Sequence, residues 1–143
     1  MKPTLTAGLT HRLSYRVPEN RTVPHLFPES REFQGMPEVF ATGYMVGLME
    51  WACMEMIRPH LEEGEGTLGT MIDVSHTAAT PPGLTITVDV ECTEMAGKLM
   101  RFNLRAHDGV DVIGEGRHER YAVMWDKFNA RVASKAANAG VTA

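Results

Sequence analysis

The stretch from Pro37 to Ile57, PEVFATGYMVGLMEWACMEMI, constrains this chain more than any other. Between Tyr44 and Ile57 its only charged residues are Glu50 and Glu55, and apolar side chains fill nearly every other position. At about 100° per residue they cover all sides of a helix, and a helix apolar all round belongs in the middle of a fold. Its length, its charges and its glycines count against a membrane span. Glu50 and Glu55 lie about 140° apart around the axis, so they cannot share a face. Glu55 has Arg58 three residues on and reads as the wet edge. Glu50 is left with Val46, Cys53 and Met54 one turn away. A carboxylate there suffers a large desolvation penalty, so it needs a partner or a chemical task.

The rest of the chain is long enough to surround such a helix. Its 143 residues suit one domain with a real core, expected to span 1–143. A formal charge of -4 argues against a nucleic-acid surface. Cys53 and Cys92 fall in apolar segments and read as small core residues rather than a disulfide framework. The opening MKPTLTAGLTHRL has no long apolar run and no cleavage site, so a cytoplasmic, reducing setting is expected.

Around the helix the pattern turns to strands. From Leu9 to Val17 apolar and polar residues alternate, which predicts a strand that Pro18 ends. The segment 18–38 holds Pro18, Pro24, Pro28 and Pro37 without clear periodicity. Long connections of this kind are often lids, and Val23, Leu26, Phe27, Phe33 and Met36 are too apolar for a solvated linker. Pro59 predicts a stop or kink at Arg58. Beyond the polar break Glu62–Gly66, a strand is expected with Ile72, Val74, His76 and Ala78 on one face. Pro81-Pro82-Gly83 reads as a turn. Leu84 to Cys92 alternates strictly, a hairpin connection follows over Thr93–Lys98, and Met100 to His107 alternates again. Asp108-Gly109 turns the chain into a last strand, Val112–Val123. A short helix is expected over Trp125–Ser134, with a frayed tail over 135–143. Short turns imply antiparallel neighbours. One sheet with an apolar face and one apolar helix have an economical solution, a sheet curled around the helix. The expected class is α+β, a hot-dog fold with an antiparallel sheet wrapped around one central apolar helix.

Candidate chemistry follows from that arrangement. His76 shares its face with Ile72, Val74 and Ala78, so it points toward the helix, where a Glu50 partner would fix its tautomer for general-base work. Thr42 stands before the helical run. It reads either as an N-cap or as a hydroxyl placed where the helix dipole favours an oxyanion. Thr42 and Glu50 are eight residues apart, about 12 Å along one helix. A site using both therefore needs His76, the substrate or a second subunit to bridge them. Arg120 shares strand parity with Gly116 and His118 and reads either as a solvated strand end or as an anion partner. Gly69 could present a backbone N–H to a carbonyl. The remaining histidines have no metal-ligand spacing, so no metal is expected. No phosphate loop or nucleophile elbow appears.

The blocks PEVFATGYMVGLMEWAC, LEEGEGTLGT, SHTAATPPGLT, AHDGVD and GRHER, in this order and spacing, closely resemble the fluoroacetyl-CoA thioesterase family. The similarity runs from about Val17 to Lys127. It implies a hot-dog homodimer that hydrolyses a short acyl-CoA beside its subunit interface, with no cofactor, coenzyme A being part of the substrate. It also implies a catalytic set of Thr42, Glu50 and His76, supported by Gly69 and Arg120, under a lid carrying Val23, Leu26, Phe33 and Met36. The family has a phenylalanine where this chain has Met36, an aromatic belonging to the gate associated with preference for a fluorinated acyl group. The expected activity is hydrolysis of a short-chain acyl-CoA, fluoroacetyl-CoA first, to free acid and CoA. A hydratase or dehydratase of acyl thioesters on the same fold and a non-catalytic acyl-CoA binding module are the competing readings, separated from it by release of free thiol.

Overall fold

The computed structural model describes residues 1–142. Five strands, β1 (Thr10–Arg16), β2 (Glu65–Val74), β3 (Thr85–Ala96), β4 (Leu99–His107) and β5 (Val112–Met124), form one antiparallel sheet in the order β1-β3-β4-β5-β2. Three helices accompany it: a single turn α1 (Arg31–Gln34), the long α2 (Thr42–Ile57) and the C-terminal α3 (Trp125–Ala139). The strands follow the alternation in the sequence: Ile86, Val88, Val90 and Cys92 of β3 and Met100, Phe102, Leu104 and Ala106 of β4 are buried against α2. This is the hot-dog arrangement.

Helix α2 buries Met45, Leu48, Met49, Ala52, Cys53, Met56 and Ile57. At roughly 1.5–3 kcal/mol for each large apolar side chain, that packing outweighs the ~1 kcal/mol a good N-cap would add. Ala41, the residue before the helix, supplies no side-chain cap. Burial on all sides, expected from composition, is corrected here. Trp51 is 44% and Met54 47% exposed, and Gly43 and Gly47 are exposed beside them. The sheet wraps only one side of the helix. At its C-terminal end α2 tightens into a 3-10 turn, Arg58–His60, where Pro59 enters. Glu55 meets His11 of β1 at 2.8 Å instead of standing on a wet edge.

Two further expectations are corrected. The strand expected from Met71 starts earlier, at Glu65, and ends at Val74. It then does not turn back onto β3. Residues 75–84 cross from the β2 edge to the far side of the sheet, with Ser75 and Thr77 still donating to the Glu115 and Ile113 carbonyls. Pairing with β5, from Val74↔Gly116 to Glu65↔Met124, sets the register of β2, and that long-range choice left no mark in the local pattern. The tail expected over 135–143 is helical as far as Ala139, capped by a left-handed Gly140 (φ 75°). Ala136 is buried; Ala143 lies outside the described residues.

Candidate active site

The crossover of residues 75–84 passes the N-terminus of α2, and this brings His76 to Thr42. Thr42 Oγ1 and His76 Nδ1 are 2.7 Å apart. Thr42 is the first helical residue, not the N-cap, so its hydroxyl is free for this contact. The N–H groups of the first helical turn have no intrahelical partners, and no side chain caps them. His76 Nε2 is buried and makes no hydrogen bond among the described residues. Burial pushes the His76 pKa below its usual value, a backbone hydrogen bond at Ala78 opposing it. The ring is therefore neutral near pH 7, the form that can take a proton.

Glu50 lies two turns further along and is held by another partner. Arg120 Nη1 donates to Glu50 Oε2 at 3.0 Å. The expected Glu50–His76 pair does not form within one chain. The reason is geometric: His76 is at the end of α2, whereas Arg120 and Gly69 face its middle from paired strand positions. Arg120 is 3% exposed while the Glu50 side chain is 37% exposed, so the carboxylate reaches solvent over a buried cation. Desolvating such a guanidinium costs on the order of several kcal/mol. Here Thr67 offsets it, its Oγ1 accepting from Nε and its carbonyl from Nη2, both at 2.9 Å. Between the two readings of Arg120, the structure gives the buried carboxylate partner.

Gly69 sits against this ion pair. A Cβ there would stand 2.6 Å from Glu50 Oε2, so glycine leaves the room the carboxylate occupies. The β2–β5 register shifts between Gly69 and Met71, a bulge of the kind that re-aims groups beside functional sites. A small cavity of about 230 Å³ opens here, lined by Val46, Glu50, Gly69, Thr70, Met71, Ile72 and His118. A larger hollow, about 960 Å³, lies among charged side chains such as Arg12, Asp89 and Arg117, some already salt-bridged, and none of the groups just described lines it.

The connection 18–38 is ordered into short helical turns. Val23 is buried. Leu26 lies over Gly43, 3.3 Å from where a Cβ would be, hence next to Thr42. Phe33 stacks on Phe27 at 5.5 Å. Met36 is 48% exposed, its N–H donating to the Phe33 carbonyl at 3.1 Å. Sequence reasoning missed two participants, Thr67 and His118. His118 is 1% exposed and touches Arg120. Its shared parity with Arg120 in GRHER was the available signal. Among the described residues no group of three or more His, Cys, Asp or Glu could hold a metal ion.

Comparison with known proteins shows the family and the fold. The family model for fluoroacetyl-CoA-specific thioesterase matches residues 22–126. The fluoroacetyl-CoA thioesterase of Streptantibioticus cattleyicolor is 54% identical over 135 residues, covering 94% of this chain and 97% of that protein. A threonine-to-alanine variant of the fluoroacetyl-CoA thioesterase FlK, solved with fluoroacetate, is 53% identical and superposes with a TM-score of 0.90 over 92% of this chain and 98% of its own. A thioesterase superfamily member from Thermus thermophilus is 28% identical, with a TM-score of 0.82 and 94% of each chain covered. A hot-dog thioesterase by fold and by relatives, this chain belongs to the fluoroacetyl-CoA thioesterase family.

Proposed function

We propose that the chain hydrolyses fluoroacetyl-CoA to fluoroacetate and CoA, as a homodimer in which each site draws on both subunits. The observation that carries this reading is the Thr42–His76 hydrogen bond at the uncapped N-terminus of α2. There the Thr42 hydroxyl and the first-turn amides hold the thioester oxygen as charge develops on it. Glu50 supplies the base or nucleophile, with Arg120 and Gly69 keeping it in place. His76 moves protons, including the α-proton that fluorine acidifies. In the net reaction water adds to the acyl carbon, the C–S bond breaks, and the sulfur leaves as the CoA thiol after taking a proton. Val23, Leu26, Phe33 and Met36 form the lid over the acyl group.

The dimer follows from what one chain leaves incomplete. His76 Nε2 is buried without a hydrogen-bond partner among the described residues, and a carboxylate from a second chain fills that place. Glu50 of the same chain is about 12 Å away along the helix. A two-fold axis beside α2 runs the two helices antiparallel and brings Glu50 of each toward the Thr42 end of the other. The exposed apolar side of α2, Gly43, Gly47, Trp51 and Met54, gains cover in such a pair. The reducing cytoplasm is the compartment we propose, since Cys53 and Cys92 are free and buried. Burial pushes the Cys53 thiol up to about 12, leaving it inert there.

The test is thiol release from fluoroacetyl-, acetyl- and propionyl-CoA, compared as kcat/KM, for the native chain and for Glu50→Gln. Fluoroacetyl-CoA is expected to be the best substrate. The Gln variant should fold and lose at least about 100-fold in kcat. Turnover that survives in Glu50→Gln rejects the role given to Glu50. Equal handling of the three thioesters leaves a thioesterase without fluorine preference.

A further inference from the structure

We propose that His118 is a positioning residue for this reaction: held as a neutral Nδ1–H imidazole, it accepts one Nη1 proton of Arg120 and thereby aims the other at Glu50. The inference rests on the reading of Glu50 given above.

Both neighbours of the ring have only one possible role, and together they fix its tautomer. Nδ1 lies 2.7 Å from the Met71 carbonyl oxygen, which can only accept, so Nδ1 carries the proton. Nε2 lies 3.2 Å from Arg120 Nη1, which can only donate, so Nε2 is bare. A protonated ring would set an N–H against an N–H beside a buried cation. Burial, with the charge of Arg120 adding to it and the Met71 carbonyl opposing, holds the His118 pKa below its ordinary value.

Four of the five guanidinium N–H protons are then committed. Nε and Nη2 go to Thr67, and the two protons of Nη1 divide between His118 Nε2 and Glu50 Oε2. A neutral acceptor at position 118 orients Arg120 without competing for its charge, as a second carboxylate would. The charged and titratable groups around the ring are Arg120 and Glu119 from β5 and Glu50 from α2, with Cys53 beside the same pair. From β2 come the Met71 carbonyl and Gly69, and from β4 Phe102, its ring centroid 6.4 Å away. Glu119 is engaged by Arg101 at 3.1 Å, so Glu50 is the carboxylate left for Arg120 to hold.

Two variants test this, His118→Phe and His118→Gln. The phenyl ring keeps the volume and cannot accept from Arg120; the Gln amide oxygen can. For His118→Phe we expect kcat to fall about 10- to 100-fold with KM nearly unchanged. His118→Gln should recover most of kcat. In the native protein at neutral pH, imidazole ¹⁵N shifts should report the neutral Nδ1–H tautomer. Native kcat in His118→Phe overturns the proposal. So does a Gln variant no better than Phe, with both losing thermal stability in step, since that is packing alone. Glu50→Gln, measured alongside, separates the two levels. If it stays active, the Glu50 reading falls and this one with it. If it is inactive while His118→Phe is native-like, only the positioning role falls.

Discussion

Gly69 shows how tightly single residues are set in this site. Its missing side chain is the space in which Glu50 Oε2 sits, and an added Cβ would also lie 3.2 Å from His118 Cε1 and 3.3 Å from Arg120 Nη1. Gly69 does not have the positive φ that disfavours a side chain, so alanine meets no backbone penalty there. The clash falls on the carboxylate, the one mobile and partly solvated member of the group. Gly69→Ala is therefore expected to fold normally and to lose about 10- to 100-fold in kcat, the scale of a catalytic group displaced by an ångström. A crystal structure of the variant should show Glu50 turned away from Arg120. Unchanged turnover would mean that the Glu50–Arg120 contact is incidental. Little of this was legible beforehand. A lone glycine in a strand has many explanations, and the sequence suggested for Gly69 only a backbone N–H offered to a carbonyl. His76 does meet the helix, but through the crossover and not by strand alternation, since β2 stops at Val74 and Ile72, on the face expected to point inward, is 41% exposed. The partner of His76 was misjudged because the choice between Thr42 and Glu50 depends on where β2 stops, which pairing with β5 decides.

At the level of elements, β1 and the β3–β4 hairpin were readable because each carries a period of two, and the central helix because a long run with few charges ends at Pro59. The β2–crossover–β3 segment was not, since Pro81-Pro82-Gly83 looks the same closing a hairpin or ending a crossover. The end of α3 was readable and overlooked: the alanines of SKAANA favour helix and Gly140 stands where a C-cap belongs. The connection 18–38 raises a different question, that of selectivity. Leu26 rests beside Thr42 over Gly43, whereas Met36 projects into solvent. A thioether with several rotatable bonds seals a pocket less firmly than an aromatic ring with two. Met36→Phe is thus expected to raise kcat/KM for fluoroacetyl-CoA relative to acetyl-CoA several-fold, by excluding water more completely from the acyl site. Thermal stability should barely change, because a side chain this exposed contributes little packing. An unaltered ratio between the two substrates removes Met36 from the lid.

For the whole molecule the question is whether one chain can work alone. Its catalytic candidates fall into two groups, Thr42 with His76 and Glu50 with Arg120, tied by separate hydrogen bonds and lying two helical turns apart. Rotating side chains does not close a gap of about 12 Å, and moving the backbone would break the seven-residue core face of α2. A second copy requires neither. Mixed dimers distinguish the arrangements without a structure. Thr42→Ala and Glu50→Gln chains, each inactive alone, are unfolded together and refolded at equal concentration. If each site takes Thr42 and His76 from one subunit and Glu50 from the other, every mixed dimer keeps one intact site. Half of the dimers are mixed, so recovered turnover should approach about a quarter of the native value. If each site lies within one chain, no mixed dimer contains an intact set and the mixture stays inactive. Sedimentation of the same samples fixes the oligomeric state, so an inactive mixture that is fully dimeric rejects the shared site, and a monomer with native turnover rejects the dimer itself.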